Sequence, residues 1–257
     1  MIITLTTDFG LADGYVGAMK GVIYSLVPRA TVVDITHEVP PFDVGHGAFA
    51  LAQAAPFFPP ETVHVAVVDP GVGGSRRGIV AVWRRQLFVG PDNGLFSPFL
   101  EDRTIVRELA DPDLWLPDAA PTFHGRDLFA PAAARLAGGL PVAECGPAVT
   151  DPVRLPDWEI RRQAGVLIVA VAHVDRFGNC ITALPASRLE EIGPGPCLVE
   201  APGLPPLPLS RTYDDVPHGQ LLALIGSHGF LELAVREGSA AALGFSRGTI
   251  VRVRPAS

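Results

Sequence analysis

The residues best suited to chemistry stand in a few short polar turns. Thr6-Thr7-Asp8-Phe9-Gly10 ends an apolar run with a carboxylate and a glycine. A two-oxygen acceptor there suits the vicinal hydroxyls of a ribose, and equally an Asp turn or a helix cap. Val67-Val68-Asp69-Pro70-Gly71-Val72-Gly73-Gly74-Ser75-Arg76 leaves a second apolar run through a carboxylate and returns an arginine seven positions after it. Its glycines let backbone approach a ligand closely; the alternative is a surface turn with a structural Asp–Arg pair. Pro121-Thr122-Phe123-His124-Gly125-Arg126-Asp127 sets one histidine beside a glycine, ahead of the helix-like stretch from Leu128 to Leu136. Singly, each reads as well as a structural residue. Together, Asp69, Arg76 and His124 make a set able to orient and partly deprotonate one water.

Two more turns follow in the second half. His173-Val174-Asp175-Arg176-Phe177-Gly178-Asn179 offers a carboxylate, an aromatic face and an amide, which suits a planar purine stacked on Phe177 and hydrogen-bonded by Asn179, or an ordinary β-turn. Gly226-Ser227-His228-Gly229-Phe230 is the other. Several familiar motifs are excluded. Arg76 stands where a dinucleotide fingerprint needs its last glycine, and no Gly-Lys-Ser/Thr follows as in a P-loop. Asp8-Phe9-Gly10 precedes His124-Gly125-Arg126-Asp127, the reverse of the kinase order. A metal site from Asp8, Asp69, His37 or His124 lacks a tight pair such as His-x-x-x-His, so no metal ligands are expected.

These turns need strand ends to hold them. Apolar runs at Ile2 to Thr7, Val63 to Val68 and Leu87 to Val89 each close on a turn rich in Gly, Asp or Pro, and Tyr15 to Leu26 and Val44 to Phe57 between them are helix-compatible. The alternation predicts βα units around a largely parallel sheet, with ligands at the carboxyl ends of its strands. After Leu140 a Pro-rich passage leads to short runs at Gly165 to His173, Leu198 to Val199, Leu221 to Ile225, Phe230 to Val235 and Thr249 to Val253, the pattern of a small β domain. The expected boundary divides residues 1–160 from 161–257, and the segment from Pro202 reads as a rigid loop.

Composition narrows the function classes. A net charge of −7 opposes nucleic-acid binding, and Arg76-Arg77, Arg84-Arg85 and Arg161-Arg162 read as solvated pairs. No apolar run approaches a membrane span, and the opening Met1 to Leu5 lacks the basic flank of a secretory signal, so a soluble cytoplasmic protein is expected. Cys145, Cys180 and Cys197 are too scattered for a disulfide framework or zinc knuckle and are expected as buried, reduced thiols.

In succession, Thr7-Asp8-Phe9-Gly10, Asp69-Pro70-Gly71-Val72-Gly73 with its arginine, Pro91-Asp92-Asn93-Gly94, Thr122-Phe123-His124-Gly125-Arg126-Asp127 and Asp175-Arg176-Phe177-Gly178-Asn179 resemble the S-adenosylmethionine hydroxide adenosyltransferase family, over nearly the whole chain. That family is related to fluorinating and chlorinating enzymes that act on the same substrate. The resemblance implies an N-terminal α/β domain, a C-terminal β-barrel-like domain, and a homotrimer with active sites between one subunit's N-domain and its neighbour's C-domain. It implies hydrolysis of S-adenosylmethionine to adenosine and methionine without a cofactor. Asp69, Arg76 and His124 match the water-activating triad. Asp8 would bind the ribose hydroxyls; Phe177, Tyr213 and Asn179 the adenine; Asp13, Asp175 and Ser227 the methionine end; and Phe42 would line the pocket. Halogenating relatives differ at the positions of Asp69 and His124 and carry an inserted loop where this chain runs directly from Trp83 to Leu87; they also have arginine at the position of His228. A halogenase, a noncatalytic adenosine or S-adenosylmethionine sensor, and a scaffold are the competing readings.

Overall fold

Alternation of apolar side chains along the first strands, with helices between them, builds an α/β sandwich in the first half of the chain. The computed structural model describes residues 1–193 and 195–256, and the chain divides into two compact units, Met1–Leu155 and Pro156–Ser257. In the first, β1 (Ile2–Thr7), β2 (Thr31–Thr36), β3 (Val63–Val67), β4 (Gly78–Trp83), β5 (Gln86–Pro91) and β6 (Ile105–Glu108) form a sheet of order β2-β1-β3-β5-β4-β6. β1 runs parallel to β2 and β3, and β3 to β5, while β4 is antiparallel to both of its neighbours. Ile3, Leu5, Val63, Val65 and Val67 share one core with helices α1 (Tyr15–Leu26) and α3 (Ala130–Ala137). α1 supplies Val16, Met19 and Ile23 at helical spacing and ends at Leu26, with Val27 as a non-helical C-cap before Pro28, which disfavours helical backbone in the residue it follows.

Between β2 and β3 lies α2 (Val44–Ala54), started by the Asp43 carboxylate, which accepts from the His46 amide at 3.0 Å. The sequence predicts one helix to Phe57. The α-helix stops at Ala54 and a 3₁₀ turn covers Ala55–Phe57, because Pro56 has no amide hydrogen to continue the ladder.

The second unit closes on itself. β8 (Val166–Val174), β9 (Cys180–Pro185), β13 (Phe230–Val235), β12 (Leu221–Ile225), β11 (Leu207–Ser210), β10 (Cys197–Glu200) and β14 (Ile250–Pro255) pair in that order, and β14 pairs back onto β8, giving a seven-stranded barrel. β7 (Arg161–Gln163) adds to β8 outside the closure. The segment expected as a rigid loop from Pro202 runs into β11, where Leu207 and Leu209, two apart, pack on the barrel core. All three cysteines are buried and unpaired. Among the described residues no helix is long and apolar enough to cross a membrane.

One core residue has a pH consequence. His64 on β3 is fully buried, its Nδ1 2.7 Å from the Thr4 hydroxyl and its ring stacked on Phe88, and burial pushes its pKa down to about 4. Below pH 6.5 the unfolded chain takes up a proton that the native ring refuses, so stability falls as pH falls, by about 2 kcal/mol between pH 7 and pH 5. Urea unfolding at both pH values checks this: the difference should shrink by that amount in His64→Asn.

Candidate active site

Asp8 and Asp69 follow the carboxyl ends of β1 and β3, which pair in parallel up to Thr7↔Val67. From β1 the chain goes to β2 on one side and then to β3 on the other, so the two carboxylates stand where the winding of the sheet reverses, the crevice in which open α/β sheets bind ligands. A cavity of about 400 Å³ opens there, lined among others by Asp8, Phe42, Asp69 and His124. The rings of Phe9, Tyr15 and Phe123 also line it and form a cluster, with centroids 5.2 to 5.9 Å apart.

Arg76 joins the other two candidate catalytic groups. Its Nε donates to both Asp69 oxygens at 3.0 Å, and its Nη2 donates to His124 Nδ1 at 2.7 Å. The Asp69 and Arg76 side chains are only 5% and 11% exposed, so the pair is screened little by water. The sequence reading of Arg76-Arg77 as a solvated pair is therefore corrected: Arg76 turns in to Asp69, and Arg77 to the buried Asp92 at 2.7 Å, because each buried carboxylate needs a cationic donor. The turn that brings Arg76 back needs Gly73, whose φ is +76° and where a Cβ would stand 2.8 Å from the Pro121 carbonyl.

A guanidinium only donates, so the bond to Nδ1 assigns that nitrogen as the acceptor and leaves the His124 proton on Nε2. Burial, and after it the Arg76 charge, lower the His124 pKa and favour this neutral form. His124 thus offers a donor, not a base, while Asp69 is the acceptor of the three. The imidazole sits at the entry of a π turn, Gly125–Phe129, edge-on to Trp115 at 5.2 Å.

Two supporting contacts emerge that the motifs alone did not foresee. Asn93 Nδ2 donates to the Val68 carbonyl at 2.8 Å, tying the Pro91-Asp92-Asn93-Gly94 turn to the residue before Asp69. Asp8 accepts the Phe42 amide at 2.9 Å, and Phe42 stands at φ +69°, a left-handed backbone that costs about 1–2 kcal/mol outside glycine. The signal for Asn93 was its Pro-Asp-Asn-Gly turn; the Phe42 backbone had none.

Other candidates are placed differently. Asp13 is exposed, and neither it nor His37, which is held by Thr7 and Asp34, is among the residues lining the cavity. Among the described residues no three His, Cys, Asp or Glu side chains gather as a metal site. In the barrel unit, Asp175 accepts the amides of Phe177 and Asn179 and the Asn179 side-chain amide at 2.8 to 3.0 Å. It organises its own turn and leaves Phe177 70% exposed. Tyr213 is 41% exposed. His228, next to Ser227, turns to buried Glu232 at 2.9 Å.

Family comparison agrees with the motif order. The model of the SAM hydroxide adenosyltransferase N-terminal domain matches residues 3–146 and that of the C-terminal domain residues 169–252. The (R)-S-adenosyl-L-methionine hydrolase of Salinispora tropica is 46% identical, covering 98% of this chain and 97% of its own. A crystal structure of an uncharacterized conserved protein from Thermotoga maritima superposes with a TM-score of 0.81 at 37% identity, covering 99% of this chain and all of that one. More distant is a fluorinase of Actinoplanes, 28% identical over 91% of this chain and 90% of its own.

The tautomer of His124 is measurable. Long-range ¹H–¹⁵N NMR should find the neutral ring protonated on Nε2 at pH 8, with its pKa below that of a free imidazole. In Arg76→Ala the pKa should rise, since a neighbouring cation is removed while the Asp69 carboxylate stays.

Proposed function

Because the chain belongs to the SAM hydroxide adenosyltransferase family, we propose that it hydrolyses S-adenosyl-L-methionine to adenosine and L-methionine. The observation that carries this reading is the Asp69–Arg76–His124 chain, two members of which line a cavity that also holds Asp8. Its relatives are named for the (R)-epimer at sulfur, and we assign the same preference here.

Water attacks the ribose C5′ carbon, the C5′–S bond breaks, and its electron pair leaves with methionine as a neutral thioether. That leaving group takes no proton, so the residues have only to hold and activate the water. Asp69 accepts a hydrogen bond from the water and orients it; Arg76 and the Nε2–H of His124 stabilise hydroxide character as it develops. One proton is released per turnover. Asp8 keeps one oxygen on the Phe42 amide and offers the other to a ribose hydroxyl.

The adenine and methionine ends fall to the barrel unit: Phe177, Tyr213 and Asn179 for the purine, Ser227 and the Asp175 turn for the amino acid, with Asp13 closing the methionine end. In this reading a neighbouring subunit of a homotrimer brings its barrel to the cavity. Exposed Leu11, Phe42 and Val72 supply apolar surface for such a neighbour. The reaction needs no metal or cofactor, and the enzyme works in the cytoplasm.

Purified protein incubated with each sulfur epimer, in chloride-free buffer with a chelator, should release equal amounts of adenosine and methionine from the (R) form. Asp69→Asn and Arg76→Ala, folded by circular dichroism, should lower kcat by about 10²–10³-fold, the scale of losing one transition-state contact. Intact substrate, or turnover unchanged in both variants, would sink the assignment; a 5′-chlorinated product on adding chloride would make it a halogenase.

The shared site is tested by complementation. Asp69→Asn and Phe177→Ala chains should each be nearly inactive alone and recover activity when co-expressed, since a mixed trimer then contains intact sites. No recovery from mixed trimers would place each site within one chain.

A further inference from the structure

We propose that Glu232 is a positioning residue that locks Tyr213 and the Ser227 turn to one another, so that the purine and methionine ends of the substrate are held by a single buried carboxylate; this rests on the substrate contacts assigned above. Glu232 lies on β13 between Leu231 and Leu233, which point into the barrel core, so its own side chain leaves the opposite face of the strand. It is nevertheless 2% exposed. A carboxylate on an outer face needs no burial, and burying one is costly unless its oxygens are matched.

Both oxygens are matched, and by the two loops in question. Tyr213 donates its hydroxyl to Oε1 at 2.5 Å. The Phe230 amide donates to His228 Nδ1 at 3.2 Å, which leaves the ring proton on Nε2, and that nitrogen lies 2.9 Å from Oε2. Burial, with the Glu232 charge behind it, raises the phenol well above its ordinary range, so it stays a donor.

The two loops are rigid at their other ends. Thr212 and Asp215 cap the short turn that carries Tyr213, which fixes its backbone while the ring stays partly exposed. The turn around Ser227 is closed by the Gly229 amide on the Gly226 carbonyl at 2.9 Å. A Cβ at Gly226 would stand 2.4 Å from Glu232 Oε2 and 2.5 Å from His228 Nε2, so any side chain there would have to displace that pair. Ser227 therefore sits between two residues that both abut Glu232.

The test is a kinetic cycle of wild type, Glu232→Gln, Tyr213→Phe and the double variant. An amide offers one acceptor oxygen to two donors, so neither Tyr213 nor His228 keeps an undivided partner. Glu232→Gln should raise KM for S-adenosylmethionine about tenfold, the order expected for one unmatched buried donor, and leave kcat within about twofold. It should weaken both adenosine and methionine as product inhibitors, whereas Tyr213→Phe should weaken adenosine alone and add nothing to Glu232→Gln. An unchanged KM, a fall in kcat alone, or additive losses would overturn the proposal. If Glu232→Gln does not fold, Tyr213→Phe and His228→Asn decide it: the first must weaken adenosine and the second methionine, and either one without effect overturns it. Failure of the underlying function shows separately, as a wild type that leaves S-adenosylmethionine intact.

Discussion

One guanidinium serving two acceptors constrains the first unit more than any other interaction. Arg76 is almost withdrawn from water, and a withdrawn cation must find its counter-charge close by. It finds Asp69 through Nε and Nη2 and then reaches His124 from the same nitrogen. A lysine would bring a point charge to one of them, not a planar fork to both. The geometry explains the surrounding chain: an apolar strand to aim Asp69, a turn that reverses at Gly73 against Pro121, an asparagine that clamps Val68, and a π turn that starts at the histidine. All but the strand are local departures from regular structure, and all converge on one side chain.

The sheet supplies the rest. Its order brings two strand ends with carboxylates side by side, and each carboxylate has a structural partner as well as a cavity to face. Asp8 holds Phe42 in a conformation that residue would otherwise avoid. The hydrogen bond and the strain belong together, because the strained backbone turns the Phe42 amide toward the acid. The barrel repeats the device with Asp175, which gathers three N–H groups of its own turn, and with Glu232, which gathers two loops. Carboxylates in this protein therefore shape backbone before they meet any ligand.

Much of this was legible in the sequence, and what was not has physical causes. β1, α1, β12 and β13 follow from unambiguous periodicity and clear stop signals, such as Pro28 after α1. β2 and β6 are short or half-exposed and gave no pattern; β11 hid within prolines because only its alternate leucines face the core. Asp69, Arg76 and His124 could be grouped because Asp and Arg return to each other across one glycine turn. The Arg76–His124 contact joins residues 48 apart, and no local rule foresees it. The composition reading erred on Arg76 and Arg77 because adjacent arginines look solvated until their distant carboxylates are placed. Glu232 was invisible for the opposite reason: Leu-Glu-Leu reads as an ordinary strand with its acid in water, and only the two loops that fold over it make that reading false.

The same electrostatics bear on the choice of nucleophile. A halide carries a full negative charge and can only accept hydrogen bonds, so it needs a pocket of donors with no anion beside it. This cavity presents the Asp69 carboxylate in its wall, and a neutral imidazole in place of a cationic one. Water is served by that combination, since it can donate to Asp69 and accept from an N–H at once. Like-charge repulsion would act on a halide before any reaction began, whereas for water the negative charge develops only as its proton shifts toward Asp69, where Arg76 balances it. Specificity for water over halide is in this view a property of the ground state, built from which of the three groups carries charge, and the proton position on His124 is part of that design.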